Sequence, residues 1–367
     1  MEGMDRVYVL LALYLVLTAL SSKMLFEVGK REINSRVLEV AGVFVVVAFS
    51  LLIVGMRDGN SAGDTPQYLY VFDNLRTLNT SWLDGFQLYG NTELLFWPTA
   101  YVFKALGFSA EVWMGMVVVV TTMLVGYGYK NLGLGRLWYI PFSGLYLTYY
   151  IVFMAAIRQS IAESLVLLAL VFVRRNNIIA SIVILLIAAG YHSSALLGFS
   201  LIFLNRFSIN PRIITVSILV AVVASVLAPS VLAAVFEVLG FENTLGKVMM
   251  YSAVDGGNEF GNLFHHKQFL LLLFVVISYL SILRGSDDIV YKFIFFLVFT
   301  LFFFWSMPVM SGRVMGYLTL LLPYMLIKIT QEFLSESNSM IFSWFVFSIM
   351  GLLVLNTNST KLVLGLF

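Results

Sequence analysis

Cysteine is absent from the 367 residues, and only three histidines are present. Disulfides, thiolate metal sites and cysteine nucleophiles are therefore excluded together. Charge is scarce too: Asp, Glu, Lys and Arg make up 11% of the chain, where a soluble domain carries about 25%. A formal net charge of +2 leaves no electrostatic footprint for a polyanion, so no nucleic-acid partner is expected. No internal repeat, low-complexity tract or linker divides the chain, and residues 1–367 read as a single membrane domain.

What fills the sequence is apolar. Hydrophobic residues account for 60%, with 32 Phe, and the mean hydropathy is +0.94. Such a chain can neither stay disordered nor hide its apolar surface in one soluble core. Apolar runs recur along the whole length, and about 20 residues at 1.5 Å each cross the hydrocarbon of a bilayer. The expected fold is all-α: a polytopic integral membrane protein with about 12 transmembrane helices, within a range of 11–14.

The expected spans are 7–22, 37–55, 110–128, 137–154, 157–173, 177–191, 193–204, 213–233, 267–283, 289–307, 312–328 and 340–356. The first lacks a basic leader and a small-residue cleavage site, so it reads as a retained span rather than a signal peptide. The stretch 94–107 is short and interrupted by Pro98, and whether it crosses sets the parity of everything after it. Basic residues settle the choice, because they concentrate in cytoplasmic loops. If 94–107 does not cross and the N-terminus lies outside, 13 of the 22 Lys and Arg fall in short cytoplasmic loops. Among them are Lys130, Arg136, Arg174, Arg175 and Lys328. Two long polar segments, about 56–93 and 234–266, then lie outside the cytoplasm and carry short helices and many aromatic side chains.

Ionisable groups at span ends or inside spans are the informative ones, since each is costly unless it faces a cavity or a partner. On this topology Arg57, Asp64, Glu93, Arg158, His192 and Arg313 gather at one membrane face. Each also has an ordinary reading. Arg57 and Arg313 could snorkel to the interface. Asp64 before Thr65-Pro66 resembles a helix N-cap, and Glu93 could open a helix. His192, with Ser193 and Ser194 behind it, could close one. Arg158 sits among small residues, Ala155, Ala156, Ser160 and Ala162. Glu163 lies about 140° around the helix from it and is not its simple partner. Gln159 and Glu163 do share a face, where a hydrogen bond is expected. Tyr317 shares the face of Arg313. His265 and His266 with Asp255 and Glu259 make a poor metal set, because adjacent histidines on a helix diverge; no metal and no cofactor is expected.

As a group, three arginines, a histidine and two carboxylates describe a polar cavity. Arginine suits phosphate, because its planar fork donates parallel charge-assisted hydrogen bonds. Outer aromatics can stack on sugars, and histidine, aspartate or glutamate can take a proton from an attacking hydroxyl. A lipid-linked phosphorylated sugar fits these features.

The order of these motifs resembles the Wzy/EpsG-type polysaccharide polymerases, over roughly residues 40 to 330. It runs Arg-x-Gly-x(3)-Gly-Asp-Thr-x(2)-Tyr from Arg57 to Tyr68, then Glu93 before an aromatic run. Ile-Arg-Gln-Ser-Ile-Ala at 157–162, His-Ser-Ser-Ala-Leu-Leu at 192–197 and Ser-Gly-Arg at 311–313 follow. The first and second of these three, spaced around the basic Arg174–Arg175 turn, are the most specific. The resemblance implies a metal-independent glycosyltransferase of the bacterial inner membrane, acting at the periplasmic face in O-antigen (lipopolysaccharide) or exopolysaccharide synthesis. It would join oligosaccharide repeat units carried on undecaprenyl pyrophosphate, both donor and acceptor being lipid-linked, with a chain-length regulator as a further partner. Arg57, Arg158 and Arg313 would hold pyrophosphate; Asp64, Glu93 or His192 would bind the acceptor and take its proton. Tyr68, Gln159, Ser193 and Tyr317 would contact substrate.

Other readings stay open at this stage. An O-antigen ligase uses the same donor but hands the chain to lipid A core. A metal-dependent transferase could use Asp58 and Asp64 as ligands. A transporter or flippase could move the same lipid-linked sugars, although such proteins place their sites near the midplane, between repeated halves.

Overall fold

The computed structural model describes residues 35–56, 64–75, 94–138, 142, 156–208, 216–217, 220–221, 223–238 and 288–335, with a few further positions between 338 and 346. Every regular element among the described residues is helical. In chain order these are α1 (Ser35–Met56), α2 (Thr65–Asn74), α3 (Phe96–Ala105), α4 (Ala110–Asn131), α5 (Ile157–Arg174), α6 (Ile178–Tyr191), α7 (Ser200–Leu204), α8 (Ala228–Val238), α9 (Ile289–Phe303) and α10 (Pro308–Phe333). Short 3₁₀ turns occupy Gly135–Trp138 and Ser193–Phe199. The helices divide between two compact units, one formed by residues up to Gly198 together with those from Pro323, the other by Phe199–Leu322.

In the first unit, α1, α4, α5 and α6 pack side by side. Small residues let their backbones close up. A Cβ on Gly128 would stand 2.7 Å from Leu167 Cδ2, and Gly115 faces Leu51 at 3.5 Å. Across α4 the outward positions Val112, Met116, Val120, Met123 and Tyr127 are apolar and exposed, at helical spacing. An apolar stripe that no helix among the described residues covers suits hydrocarbon rather than water. Among the described residues, Ala110–Asn131 and Val309–Phe333 are long and apolar enough to cross a membrane, and Ile178–Tyr191, Ser193–Leu204 and Ile289–Phe303 are shorter apolar helices. These agree in place with five of the expected spans, and α1 and α5 with two more, but a total of about twelve crossings is not established by them. The expected spans 7–22 and 267–283 lie outside the described residues, as do most of 137–154 and 340–356.

One expected span looks different in detail, and the stretch 94–107, not expected to cross, takes a definite form. The segment 193–204 opens as the 3₁₀ turn Ser193–Phe199 before α7, because Gly198 lies hard against α5 and α6, where a Cβ would sit 2.5 Å from Leu185 and 3.0 Å from Val166. The stretch 94–107 contains the ten-residue helix α3. At 1.5 Å per residue it is about 15 Å long, half a bilayer's hydrocarbon. Its Phe96, Trp97 and Ala100 are buried, and Leu95 N–H donates to Gly190 O at 2.8 Å, tying its start to the end of α6.

α5 and α6 form a helical hairpin joined at Arg175–Asn177, where Asn176 adopts a positive φ of 57°. Ser181 Oγ donates to Ala169 O at 3.0 Å across it, beside the turn. Chain entry to α5 and chain exit from α6 therefore share one end. Basic side chains occupy the other. Arg174 donates to Leu132 O, Arg175 to Asn131 Oδ1, and Lys328 Nζ to Gly133 O at 2.9 Å. Lys130 Nζ lies 5.9 Å from the Trp138 ring. Four of the cations expected in cytoplasmic loops thus converge at one end of the first unit.

Candidate active site

The residues of interest cluster where α5 begins. Sixteen positions separate Arg158 from Arg174 in the sequence, about 24 Å along the helix axis. Arg158 lies in the first turn of α5 and its side chain is 9% exposed. A guanidinium so deeply placed must be matched by acceptors, or it costs several kcal/mol.

Its partners come from α2, some 90 residues earlier. Arg158 Nη2 donates to Asp64 Oδ2 at 2.9 Å, and Arg158 Nε donates to Tyr68 Oη at 3.0 Å. Tyr68 in turn donates its hydroxyl proton to Asp64 Oδ2 at 3.0 Å. The three groups close a triangle. Arg158 Cζ also lies 5.3 Å from the centroid of the Tyr68 ring, within cation–π range. The Asp64 side chain is 44% exposed, so the triangle opens on that side, whereas Tyr68 is fully buried.

Local sequence explains why α2 can do this. Pro66 sits in the first turn of α2, and Gln67 and Tyr68 donate their N–H groups to Asp64 O at 3.1 and 3.0 Å. Asp64 therefore holds the N-cap position that its sequence predicts. Its carboxylate does not cap, however; it turns to the arginine, where an ion pair outweighs a local amide bond. Tyr68, one turn on, falls on the same face. Beneath it an aromatic floor fixes the ring: Tyr68 meets Phe96 at 5.3 Å and Trp97 at 6.1 Å, and Phe72 stacks on Trp113 at 5.6 Å between centroids.

Gln159 is buried beside Arg158, and its Nε2 donates to Glu163 Oε1 at 2.6 Å. The expected pairing along α5 is present, and Arg158 takes its carboxylate from another helix. Glu163 is fully buried, and among the described residues its Oε2 has no hydrogen-bond partner.

His192 is the C-cap of α6 and is buried. Its backbone N–H donates to Ala188 O at 3.0 Å. The Ser194 backbone N–H donates to its Nδ1 at 3.2 Å, and the Ser194 hydroxyl lies 2.7 Å from the same atom. A backbone amide only donates, so Nδ1 bears the lone pair and the neutral ring carries its proton on Nε2. Ser193 is exposed at the start of the following 3₁₀ turn.

Arg313 and Tyr317 lie one turn apart on α10, in the second unit, Arg313 half-buried and Tyr317 buried. Arg57 and Glu93 lie outside the described residues, as do His265, His266, Asp255 and Glu259. The structure thus joins Asp64, Tyr68 and Arg158 directly, and places Gln159 beside Arg158 and His192 at the hairpin end they share.

The family model described as the EpsG family matches residues 40–363. The chain belongs to the EpsG family. Membership points to polysaccharide polymerisation and to a membrane setting, and it agrees with the apolar helices above. Neither a curated protein nor a solved structure matches the chain. Within this EpsG-family chain one residue with a clear structural part, Lys104, carries no local motif that would single it out; it is treated below.

Proposed function

We propose that the chain is a polysaccharide polymerase: a metal-independent glycosyltransferase that joins oligosaccharide repeat units carried on undecaprenyl pyrophosphate, at the periplasmic face of a bacterial inner membrane. The observation that carries this reading is the Arg158–Asp64–Tyr68 triangle in a chain of the EpsG family. A guanidinium held rigid by a carboxylate and a phenol, in a cluster that opens at Asp64, is a prepared site for a phosphate. The first-turn amides of α5 reinforce it: Ala156, at the N-cap, has no side-chain acceptor to offer them, and the positive end of the helix dipole favours an anion. The basic residues at the far end of the α5–α6 hairpin support its orientation, since such clusters face the cytoplasm and leave Arg158 toward the outside.

In the reaction a hydroxyl oxygen of the acceptor unit attacks the anomeric carbon of the donor chain. The new C–O bond forms as the bond to pyrophosphate breaks, and the leaving pyrophosphate takes the electron pair. Arg158, with Arg57 and Arg313 in this reading, stabilises the charge that develops there. The hydroxyl proton passes to one of Asp64, Glu93 and His192; Tyr68, Gln159, Ser193 and Tyr317 contact the substrates. Undecaprenyl-linked donor and acceptor, the bilayer and a chain-length regulator are the implied partners.

The test is Arg158→Ala in the native host. Polymer should disappear while the protein still accumulates and single repeat units still reach the surface. Normal polymer from that variant would overturn the assignment.

A further inference from the structure

The end of α2 opposite Asp64 carries a cation on its carbonyls. Lys104, on α3, extends its ammonium to Phe72 O and Asp73 O, both at 2.6 Å. These are carbonyls of the last turn of α2, 31 and 32 residues away in sequence, at the negative end of its dipole. Lys104 Nζ also lies 5.7 Å from the centroid of the Phe72 ring. Burial pushes the Lys104 pKa down, with the Asp73 carboxylate acting against it, so this cation gives up hydration to sit where it does.

We infer that Lys104 is a positioning residue for the Arg158 site: by holding the C-terminal carbonyls of α2, it fixes how far that helix carries Asp64 and Tyr68 toward the guanidinium. The hold bears on a short helix. It is ten residues long, short enough that it would not persist alone in water. The aromatic floor fixes its face through Tyr68 and Phe72, but rings in van der Waals contact resist sliding along the helix axis only weakly. A cation bonded to two successive carbonyls resists that motion directly. Its own backbone is set, since α3 is tied to α6 through Leu95 and Gly190 and its Phe96 packs on Trp113 at 4.9 Å.

The activity readout rests on the polymerase reading; the distance readout does not. Because the native chain has no cysteine, Tyr70→Cys on α2 and Val112→Cys on α4, both at exposed positions, take spin labels without background. The pair is measured in the full-length protein in lipid nanodiscs, with Lys104, Lys104→Met and Lys104→Arg. The expected result is one narrow distance for the parent, a broadened or second distance for Lys104→Met, and a return to the narrow one for Lys104→Arg. Polymer formation from lipid-linked units should fall roughly ten- to hundredfold in Lys104→Met at equal membrane protein, as misplacement by about 1 Å does elsewhere, and stay within about threefold in Lys104→Arg. If Lys104→Met fails to accumulate, Lys104→Gln serves, its shorter amide reaching one carbonyl at most. An unchanged narrow distance in Lys104→Met overturns the inference, as does a broadened distance with undiminished synthesis. A parent that makes no polymer while the distances respond as described supports the anchor and counts against the polymerase reading alone.

Discussion

Replacing Asp64 by Asn separates two roles that the carboxylate could play. Asp64 Oδ2 receives two hydrogen bonds, from Arg158 Nη2 and from the Tyr68 hydroxyl. Asparagine keeps a carbonyl oxygen in the same place, so both donors retain a partner and only the charge is lost. A charge-assisted bond contributes about 1.5–3 kcal/mol and a neutral one about 0.5–1.5, so the difference is about 1 kcal/mol. The half-exposure of Asp64 screens it further. An Asp64 that only orients Arg158 therefore predicts a loss of about fivefold. Removing a general base instead costs roughly 10²–10⁴-fold. The gap between these figures is wide enough to decide. The assay is the initial rate of glycan lengthening by purified protein in vesicles loaded with lipid-linked repeat units, at matched protein and with folding checked by thermal unfolding. We expect the smaller loss, because both bonds to Oδ2 are committed to holding the arginine. A hundredfold loss in folded protein would refute this and make Asp64 the proton acceptor.

Two further outcomes follow from the same contacts. Tyr68→Phe removes a fully buried hydroxyl and with it the acceptor that Arg158 Nε uses at 3.0 Å; at about 1.5–3 kcal/mol for a hydrogen bond to a charged group, the rate should drop roughly ten- to hundredfold, more than for Asp64→Asn. Gly128→Ala places a methyl 2.7 Å from Leu167 Cδ2 at the α4–α5 crossing; it should lower stability by about 1–3 kcal/mol, read as a reduced melting temperature, and adding Leu167→Ala should relieve part of that strain.

Where helices run was largely legible from apolar runs alone. Residues 110–128, 157–173 and 177–191 are read within three residues of α4, α5 and α6, because in each a long apolar stretch ends at a residue that stops it. Ser109 and Asn177 accept N–H groups from Val112 and Ala180, and Asp288 does the same for Val290 at the start of α9. Periodicity also gave the Gln159–Glu163 bond and excluded Glu163 as the partner of Arg158. The partner itself was not legible as a contact: Asp64 announced a helix start, and nothing within its own segment says that the carboxylate turns away from the amides toward a helix 94 residues on. Lys104 carries no mark in the sequence either, since its acceptors are backbone carbonyls, which every residue has. The 3₁₀ start at Ser193 follows from how closely Leu185 and Val166 approach Gly198, and that distance exists only once α5 and α6 have packed.

α5 carries Arg158 in its first turn and Arg174 in its last, each bonded to a different neighbour. An inserted or deleted residue between them would swing one terminus about 100° relative to the other and move it 1.5 Å, pulling one of the two from its acceptors. Surface loops in general tolerate a change of length; this stretch can change its letters but not its count. Among relatives, gaps should avoid the segment from 158 to 174 even where little of its wording survives.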